Sequence, residues 1–287
     1  MTADAASKST LLKEIEEARA LVSSRWSVKP RVGIILGTGL GRFAETMTRS
    51  VAIPYGDMPH FPQATAESHA GELVLGDLGE TPAAVMNGRV HYYEGYTMKQ
   101  VTFPVRVLRA LGIDTLIVTN AAGGMNPTYE PGDIAMVVDH INLMGDNPLV
   151  GPNEDRLGPR FPDMSEPYDR SLQALAKEVA LAEKIRLREG VLAAVSGPNL
   201  ETRAEYRFLR WAGADLVSMS LVPEAIVAAH AGLRLLAFAV VTDLCLPDAL
   251  EPINVPAILA NAAAAEPHLT RLVSRIVNEL PAPDGRP

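Results

Sequence analysis

Two short stretches carry side chains suited to binding an anion. In Asn87-Gly-Arg-Val-His-Tyr-Tyr-Glu-Gly-Tyr96, Arg89 and His91 flank Val90. Residues two apart in an extended segment share one face, so a guanidinium and an imidazole would point the same way. That pairing suits a phosphate. The same residues would equally serve without a ligand, Arg89 pairing with a carboxylate and His91 sitting as a polar core residue. The local pattern leaves both readings open. In Gly37-Thr-Gly-Leu-Gly41, glycines flank Thr38, whose N–H and Oγ can then both face an oxyanion. This is not a dinucleotide fingerprint, because the third glycine is misplaced and no acidic residue follows at the right distance. No Lys-Ser/Thr follows either, which excludes a Walker loop.

The other polar or glycine-rich stretches also fall at the ends of expected strands. A largely β-branched run, Thr115 to Thr119, passes into Asn120, Ala121, Ala122, Gly123 and Gly124. The pattern predicts a buried strand running out into a tight, side-chain-poor loop. Small residues there let a ligand approach the backbone closely. A strand over 191–195 ends in Ser196-Gly-Pro-Asn-Leu-Glu-Thr202, which puts Glu201 just ahead of an amphipathic helix over 203–212. A carboxylate near a helix N-terminus is favourable and needs no function. A strand over 215–217 ends in Ser218-Met-Ser220, and the apolar run 233–241 ends in Thr242-Asp243. Ligands of open α/β sheets collect at the carboxyl ends of strands. These ends together describe a site that none describes alone.

The elements that must position them follow from periodicity. Helices are expected over 10–22, 101–111 (stopping at Gly112), 171–184, 203–212, from Pro223, and beyond Asn254, the last interrupted or kinked at Pro267. Strands are expected over 32–36, 72–76, 83–86, 115–119 and 132–138, besides those named above. Residues 51–68 read as loop, and 139–164 as a long polar excursion containing an isolated Phe161. A stretch that long without structure is usually functional or meets a partner subunit. Tyr92, Tyr93 and Tyr96 are either packing or the wall of a pocket. Strands alternate with helices, with no internal repeat or linker, so residues 1–287 are expected to form one α/β domain with a mixed sheet.

Composition limits the function. The 287 residues are 47% hydrophobic and 21% charged, those of a soluble globular protein, with a net charge of −8 and no long basic run. A nucleic-acid surface is not expected. A single cysteine, Cys245, rules out an intrachain disulfide, and no zinc cluster is suggested. No apolar run long enough to span a membrane and no secretory segment is visible. A cytoplasmic protein is expected.

With these stretches assembled, the chain resembles the trimeric, low-molecular-mass purine nucleoside phosphorylases. The resemblance rests on GTGLG, HAGELVLG, GRVHYYEGY, VTNAAGGMNP, DHINLMGDNPL, RFPDMSEPYD, GPNLETRAE and GADLVSMSLVPE, in the family's order over most of the chain. It implies a distorted, partly closed mixed β-sheet surrounded by helices, no metal or cofactor, and a homotrimer. It implies phosphorolysis, in which inorganic phosphate attacks C1′ of a purine nucleoside and releases the base and α-ribose 1-phosphate. Phosphate is the nucleophile, so the site must supply an anion cradle, a sugar platform and a polar clamp on the base. Carried over by position, Thr38, His69, Arg89, His91, Ser220 and the Ala121 N–H match the phosphate site. Tyr93 and Met219 match sugar contacts, and Phe161 matches an aromatic lent across the subunit interface. Ala122, Gly123, Glu201 and Asp243 match the base site. His91, Glu201 and Asp243 are thus the candidates for catalysis.

The chain departs from this pattern at several positions. Asp243 stands where members selective for 6-oxopurines have asparagine, and methylthioadenosine phosphorylases carry aspartate there. An ionised aspartate only accepts, so it favours a 6-amino group over O6. Glu201 pulls the other way, suiting the N1–H of hypoxanthine and guanine. Leu200 replaces a frequent phenylalanine beside the base. Val255 falls near a histidine that binds the 5′-hydroxyl. Thr38 replaces a common serine, as in methylthioadenosine phosphorylases. A purine nucleoside phosphorylase is therefore expected first, with a 5′-methylthioadenosine phosphorylase as the alternative. A nucleoside hydrolase or binding protein on the same fold comes third, since it would not need the phosphate-type residues.

Overall fold

The computed structural model describes residues 3–38, 40–65 and 70–281. Helices and strands alternate as α1 (Ala3–Arg25), β1 (Val32–Ile35), β2 (Thr48–Pro54), β3 (Glu72–Leu78), β4 (Thr81–Asn87), α2 (Met98–Leu111), β5 (Thr115–Gly124), β6 (Ile134–Leu143), α3 (Arg170–Ala182), β7 (Leu187–Val195), α4 (Arg203–Trp211), β8 (Leu216–Ser218), α5 (Val222–His230), β9 (Arg234–Leu244) and α6 (Val255–Glu279). The strands form one sheet in the order β2-β3-β4-β1-β5-β8-β7-β6-β9, and β9 also pairs with β5. That second pairing closes β5, β8, β7, β6 and β9 into a barrel. β5 lies parallel to β1 and β9 and antiparallel to β8. The result is a mixed α/β sheet, partly closed.

β5 and β9 are buried on both faces, so alternate residues feed different cores. Leu116, Val118, Leu235, Ala237, Ala239 and Val241 face the cluster that includes α2 and α5 residues. Ile117, Leu236, Phe238 and Val240 face the cluster that includes α3 and α6 residues. The helix ends are locally specified. At α2, Thr97 and Gln100 form a reciprocal capping box, and Gly112 closes the helix in the left-handed region at φ 106. At α4, Thr202 and Glu205 do the same, fixing the backbone directly after Glu201.

Some expectations change. β5 does not stop at Thr119 but runs through Asn120–Gly124. Its glycines admit neighbours rather than a turn, since a Cβ at Gly124 would lie 2.7 Å from Val241 Cγ1. Residues 51–54, expected as loop, belong to a strand over Thr48–Pro54. β2 is an outer strand with mostly exposed side chains and a register shift, so it carries no hydrophobic alternation. β6 reaches Leu143, so the irregular segment begins at Met144 and runs on to Asp169. α6 continues through Pro267, because Ala265 before it and Leu269, Leu272 and Val273 after it pack on the same core.

Asp169 ties the irregular segment to the sheet. It caps α3 by accepting from the Leu172 N–H at 2.9 Å, and it receives Arg234 of β9 at 2.8 Å. Burial raises its pKa, but bonds from Arg234, Ser171 and Leu172 outweigh this and hold it well below the usual carboxylate range. A depressed folded-state pKa gives stability that is present above the unfolded value and is lost as pH falls. Asp169→Ala should cost about 2 kcal/mol at neutral pH. In urea melts, the gap from the parent should narrow by about pH 3; a gap independent of pH would contradict this account.

Candidate active site

The polar strand ends converge on one cavity. It is lined by Gly37 and Thr38 after β1, Arg89, His91 and Tyr93 after β4, and Asn120, Ala121, Ala122 and Gly123 of β5. Ser218, Met219 and Ser220 at the end of β8, Thr242, Asp243 and Cys245 from β9 onward, and Leu200, Glu201 and Tyr206 complete most of the wall. Close strand approach makes this possible. A Cβ on Gly37 would stand 2.6 Å from the Asn120 Cα, so only glycine lets the segment after β1 lie against β5.

Arg89 is 2% exposed. Its Nη1 donates to Glu224 of α5 at 3.1 Å, and Nη2 donates to the carbonyls of Ile35, at 3.5 Å, and Thr119. Burial lowers its pKa, with Glu224 opposing. The guanidinium is thus both ion-paired and part of the cavity wall, and its Nε is buried without a hydrogen-bond partner. A buried arginine paired once and anchored on carbonyls is held rigidly where an anion can meet it.

His91 stacks on Tyr93 with ring centroids 4.8 Å apart. Its Nδ1 lies 2.9 Å from Glu94 Oε1, which also accepts the His91 N–H at 2.7 Å. Burial lowers the His91 pKa, the Arg89 charge lowers it further, and Glu94 partly opposes both. The charged form of the ring is therefore disfavoured. With Nδ1–H given to Glu94, Nε2 is the acceptor nitrogen. Such a ring can take a hydrogen bond from a protonated phosphate oxygen. Nearby, Ser220 Oγ lies 3.4 Å from Ser218 Oγ, which accepts from Asn120 at 2.8 Å.

At the other carboxylates, a bulge aims Asp243. In the β5–β9 pairing Ala122 faces Val241 but Gly123 faces Asp243, so Thr242 is the extra residue. Bulges re-aim side chains in this way. Thr242 Oγ1 lies 2.9 Å from Asp243 Oδ1, and the Cys245 thiol donates to Oδ2 at 3.3 Å. The Glu201 pKa is raised, first by burial, with Asp243 adding to it and Tyr206 opposing. Glu201, Asp243, Leu200, Tyr206 and Thr242 also line an adjoining hollow with Ile253 and Ile258, which the Arg89 and His91 side does not reach.

Most of the expected residues thus lie in one cavity. His69 lies outside the described residues. Val255 does not line the cavity; it opens α6 and is 55% exposed, whereas Ile253 and Ile258 take the apolar wall. Phe161 also lies apart and is 85% exposed. Asn120, Ser218 and Thr242 lie in the strand ends read from the sequence but were given no role there, and Glu94, Tyr206, Glu224 and Cys245 were not read as site residues. His91-x-x-Glu94 carries a readable spacing, and Cys245 lies two residues from Asp243 on a strand-like register. Glu224 closes the GADLVSMSLVPE stretch, but nothing in its local spacing marks it as the partner of Arg89. Among the described residues, no group of His, Cys, Asp and Glu could hold a metal ion, and no helix is long and apolar enough to cross a membrane.

Known proteins match this arrangement along nearly the whole chain. The family model described as the Phosphorylase superfamily matches residues 31–278. Purine nucleoside phosphorylase 1 of Geobacillus stearothermophilus is 47% identical, with 93% of this chain and 97% of that protein covered. The Mus musculus purine nucleoside phosphorylase is 46% identical, with 89% and 91% covered. The solved structure of isoform 2 of the Schistosoma mansoni enzyme, in complex with cytosine and ribose-1-phosphate, superposes with a TM-score of 0.90 at 38% identity, covering 94% of this chain and 97% of that one. The Schistosoma mansoni enzyme in complex with adenosine gives 0.90 at 37% identity, with 94% and 98% covered. The chain belongs to the purine nucleoside phosphorylase family of the phosphorylase superfamily.

Proposed function

We propose that the cavity takes inorganic phosphate at Thr38, Arg89, His91, Ala121 and Ser220, with His69 joining them, and a purine base at Glu201 and Asp243. The activity is reversible phosphorolysis of purine ribonucleosides and deoxyribonucleosides to the free base and the α-sugar 1-phosphate. One observation carries the assignment of ends: a buried guanidinium, an imidazole and hydroxyls share a cavity with two carboxylates that also line a hollow those groups do not reach. Tyr93 and Met219 supply the sugar platform between them.

The geometry supports the following division of work. Arg89, fixed by Glu224, holds the phosphate charge, and His91 accepts a hydrogen bond from the one hydroxyl left on the dianion, turning an unprotonated oxygen toward C1′. As the glycosidic bond lengthens, positive charge grows on the sugar beside the bound dianion and negative charge grows on the base. Asp243 and Glu201 meet the base edge, where a proton delivered at N7 or a donor at O6 stabilises the leaving group. Phosphate is a co-substrate, and the scheme uses no cofactor or metal. We place the reaction in the cytoplasm, in purine salvage.

A 5′-methylthioadenosine phosphorylase is the second reading. Asp243 favours it, and so do Ile253 and Ile258 along the wall, which suit a methylthio group better than a hydroxyl. Glu201 counts against it. A hydrolase on this fold would not require the phosphate residues. Base release from inosine, guanosine, adenosine and methylthioadenosine, measured with and without phosphate, tests all three. Rates should rise with phosphate to saturation. A rate in saturating nucleoside that ignores phosphate would contradict phosphorolysis.

The exposed Phe161 supports a homotrimer in which each chain lends that ring to the neighbouring sugar site. Phe161→Ala should raise the nucleoside KM about tenfold, the equivalent of about 1.4 kcal/mol and the low end of what burying an aromatic side chain is worth. The phosphate KM should move little. Equal losses for both substrates, or a monomer in sedimentation, would contradict the shared site.

A further inference from the structure

A second cavity, of about 570 Å³, lies between α2 and residues 148–157 of the irregular segment. It shares no lining residue with the cavity described above. Lys99, Phe103 and Arg106 of α2 line it, and their spacing of four and then three residues puts them on one face of the helix. The facing segment is held in place by its own bonds. Arg160 donates to the carbonyls of Leu149, at 3.1 Å, and Gly151, at 2.8 Å, and Asn153 donates to that of Gly158 at 3.0 Å. A Cβ on Gly158 would strike the His230 carbonyl, so the segment lies directly on the end of α5.

Arg106 is 8% exposed, yet no carboxylate of the described residues pairs with it. Among those residues its guanidinium makes one side-chain hydrogen bond, from Nη1 to His230 Nδ1 at 3.5 Å. His230 Nε2 lies 3.3 Å from Asn153 Oδ1, so the imidazole donates to Asn153 and accepts from Arg106. Burial lowers the Arg106 pKa to about 10, which leaves it charged at neutral pH. Arg89 is buried to the same degree but is neutralised by Glu224. Arg106 has no such counterion, and a buried charge without one is costly. The other charges on the wall do not supply it. His60 faces Glu17 at 2.6 Å, and Glu154 faces Arg156 at 2.8 Å. Lys99 and Arg106 are thus left against one further lining carboxylate, Glu14.

We propose that this cavity is a second binding site, for a phosphate monoester that carries a ring, of the nucleoside monophosphate class, held by Arg106 and Lys99. The planar fork of Arg106 meets two phosphate oxygens side by side. Lys99 supplies a point charge to the third. Its ammonium reaches across to the facing segment, since a Cβ on Gly151 would stand 3.0 Å from Lys99 Nζ. A carboxylate would satisfy the arginine and leave the lysine unmatched, so two cations favour the phosphate dianion. Phe103, Leu149 and Leu157 give the ring an apolar wall. The volume is that of a small-molecule site, for which about 300–1,000 Å³ is usual. Glu14 opposes the anion and limits its affinity. The inference uses none of the residues assigned to phosphorolysis.

Calorimetric titration of the intact protein with guanosine 5′-monophosphate tests this, with hypoxanthine in excess to fill the base site and no phosphate added. One molecule should bind per chain. Arg106→Met should weaken binding about tenfold or more, the scale of a lost hydrogen bond between charged groups, and Lys99→Met about threefold. Glu14→Gln should tighten it about twofold. Lys99 is exposed, so its variant reads the site even if Arg106→Met fails to fold. Inosine kcat/KM should stay within about twofold of the parent in all three variants. Inorganic phosphate, which lacks the ring, and benzoate, which lacks the second charge, should each bind about tenfold more weakly than the nucleotide. Absence of saturable binding overturns the proposal, and so does binding unchanged in Lys99→Met and Arg106→Met. Phosphate or benzoate bound as tightly as the nucleotide overturns the ligand class. Weaker binding in Glu14→Gln overturns the anion site, because it would mean a cationic occupant. The readout is binding at residues outside the first cavity, so a failure here is distinct from a failure of phosphorolysis.

Discussion

The pairing of β5 with β9 is the constraint on which the rest depends. β5 is held by β1 and β9 in parallel and by β8 in antiparallel register. That arrangement brings the ends of separate strands to the Asn120–Gly123 backbone. β5 can accept so many neighbours only because its last residues are small. The same smallness lets Cys245 settle over Gly123 and lets Gly37 lie against Asn120. The extra residue Thr242 then turns Asp243 opposite Gly123. Fold and site are set by one stretch of backbone packing.

Charge burial is the second constraint. Arg89 and Glu224 are each only 3% exposed at the side chain and lie 3.1 Å apart. Isolated in the interior, either would be costly. Paired, they join the segment after β4 to α5 and leave the guanidinium fixed at the cavity wall. The bulk protein carries a net charge of −8, so attraction of an anion is local rather than global. His91 adds a donor-acceptor group without adding charge, because Arg89 and burial both disfavour its protonated form.

Much of this was legible in the sequence because strand ends are marked by composition. The apolar run into Thr242-Asp243, the β-branched run into Asn120 and the alternation Arg89-Val90-His91 each announced a side-chain placement. The two open readings of Arg89 turned out to be compatible: it pairs with a carboxylate and still lines the cavity. Less legible features have physical reasons. β2 is an exposed outer strand without alternation. Ala121–Gly124 looks like loop because glycine and alanine are strand-poor, although close neighbours require them there. The pairing of Glu224 gives no local signal because its partner is 135 residues away. Val255 was offset from the apolar wall because the segment after Asp243 is a 3₁₀ turn and irregular chain before α6, where sequence spacing does not fix a side chain's direction.

The central claim is that one cavity joins an anion to a purine nucleoside and transfers the sugar between them. Phosphorus NMR of the enzyme with inosine and inorganic phosphate tests it most directly. One equivalent of α-ribose 1-phosphate should form for each hypoxanthine released, and no free ribose should appear. Hypoxanthine released together with free ribose, with the phosphate signal unchanged, would contradict the account.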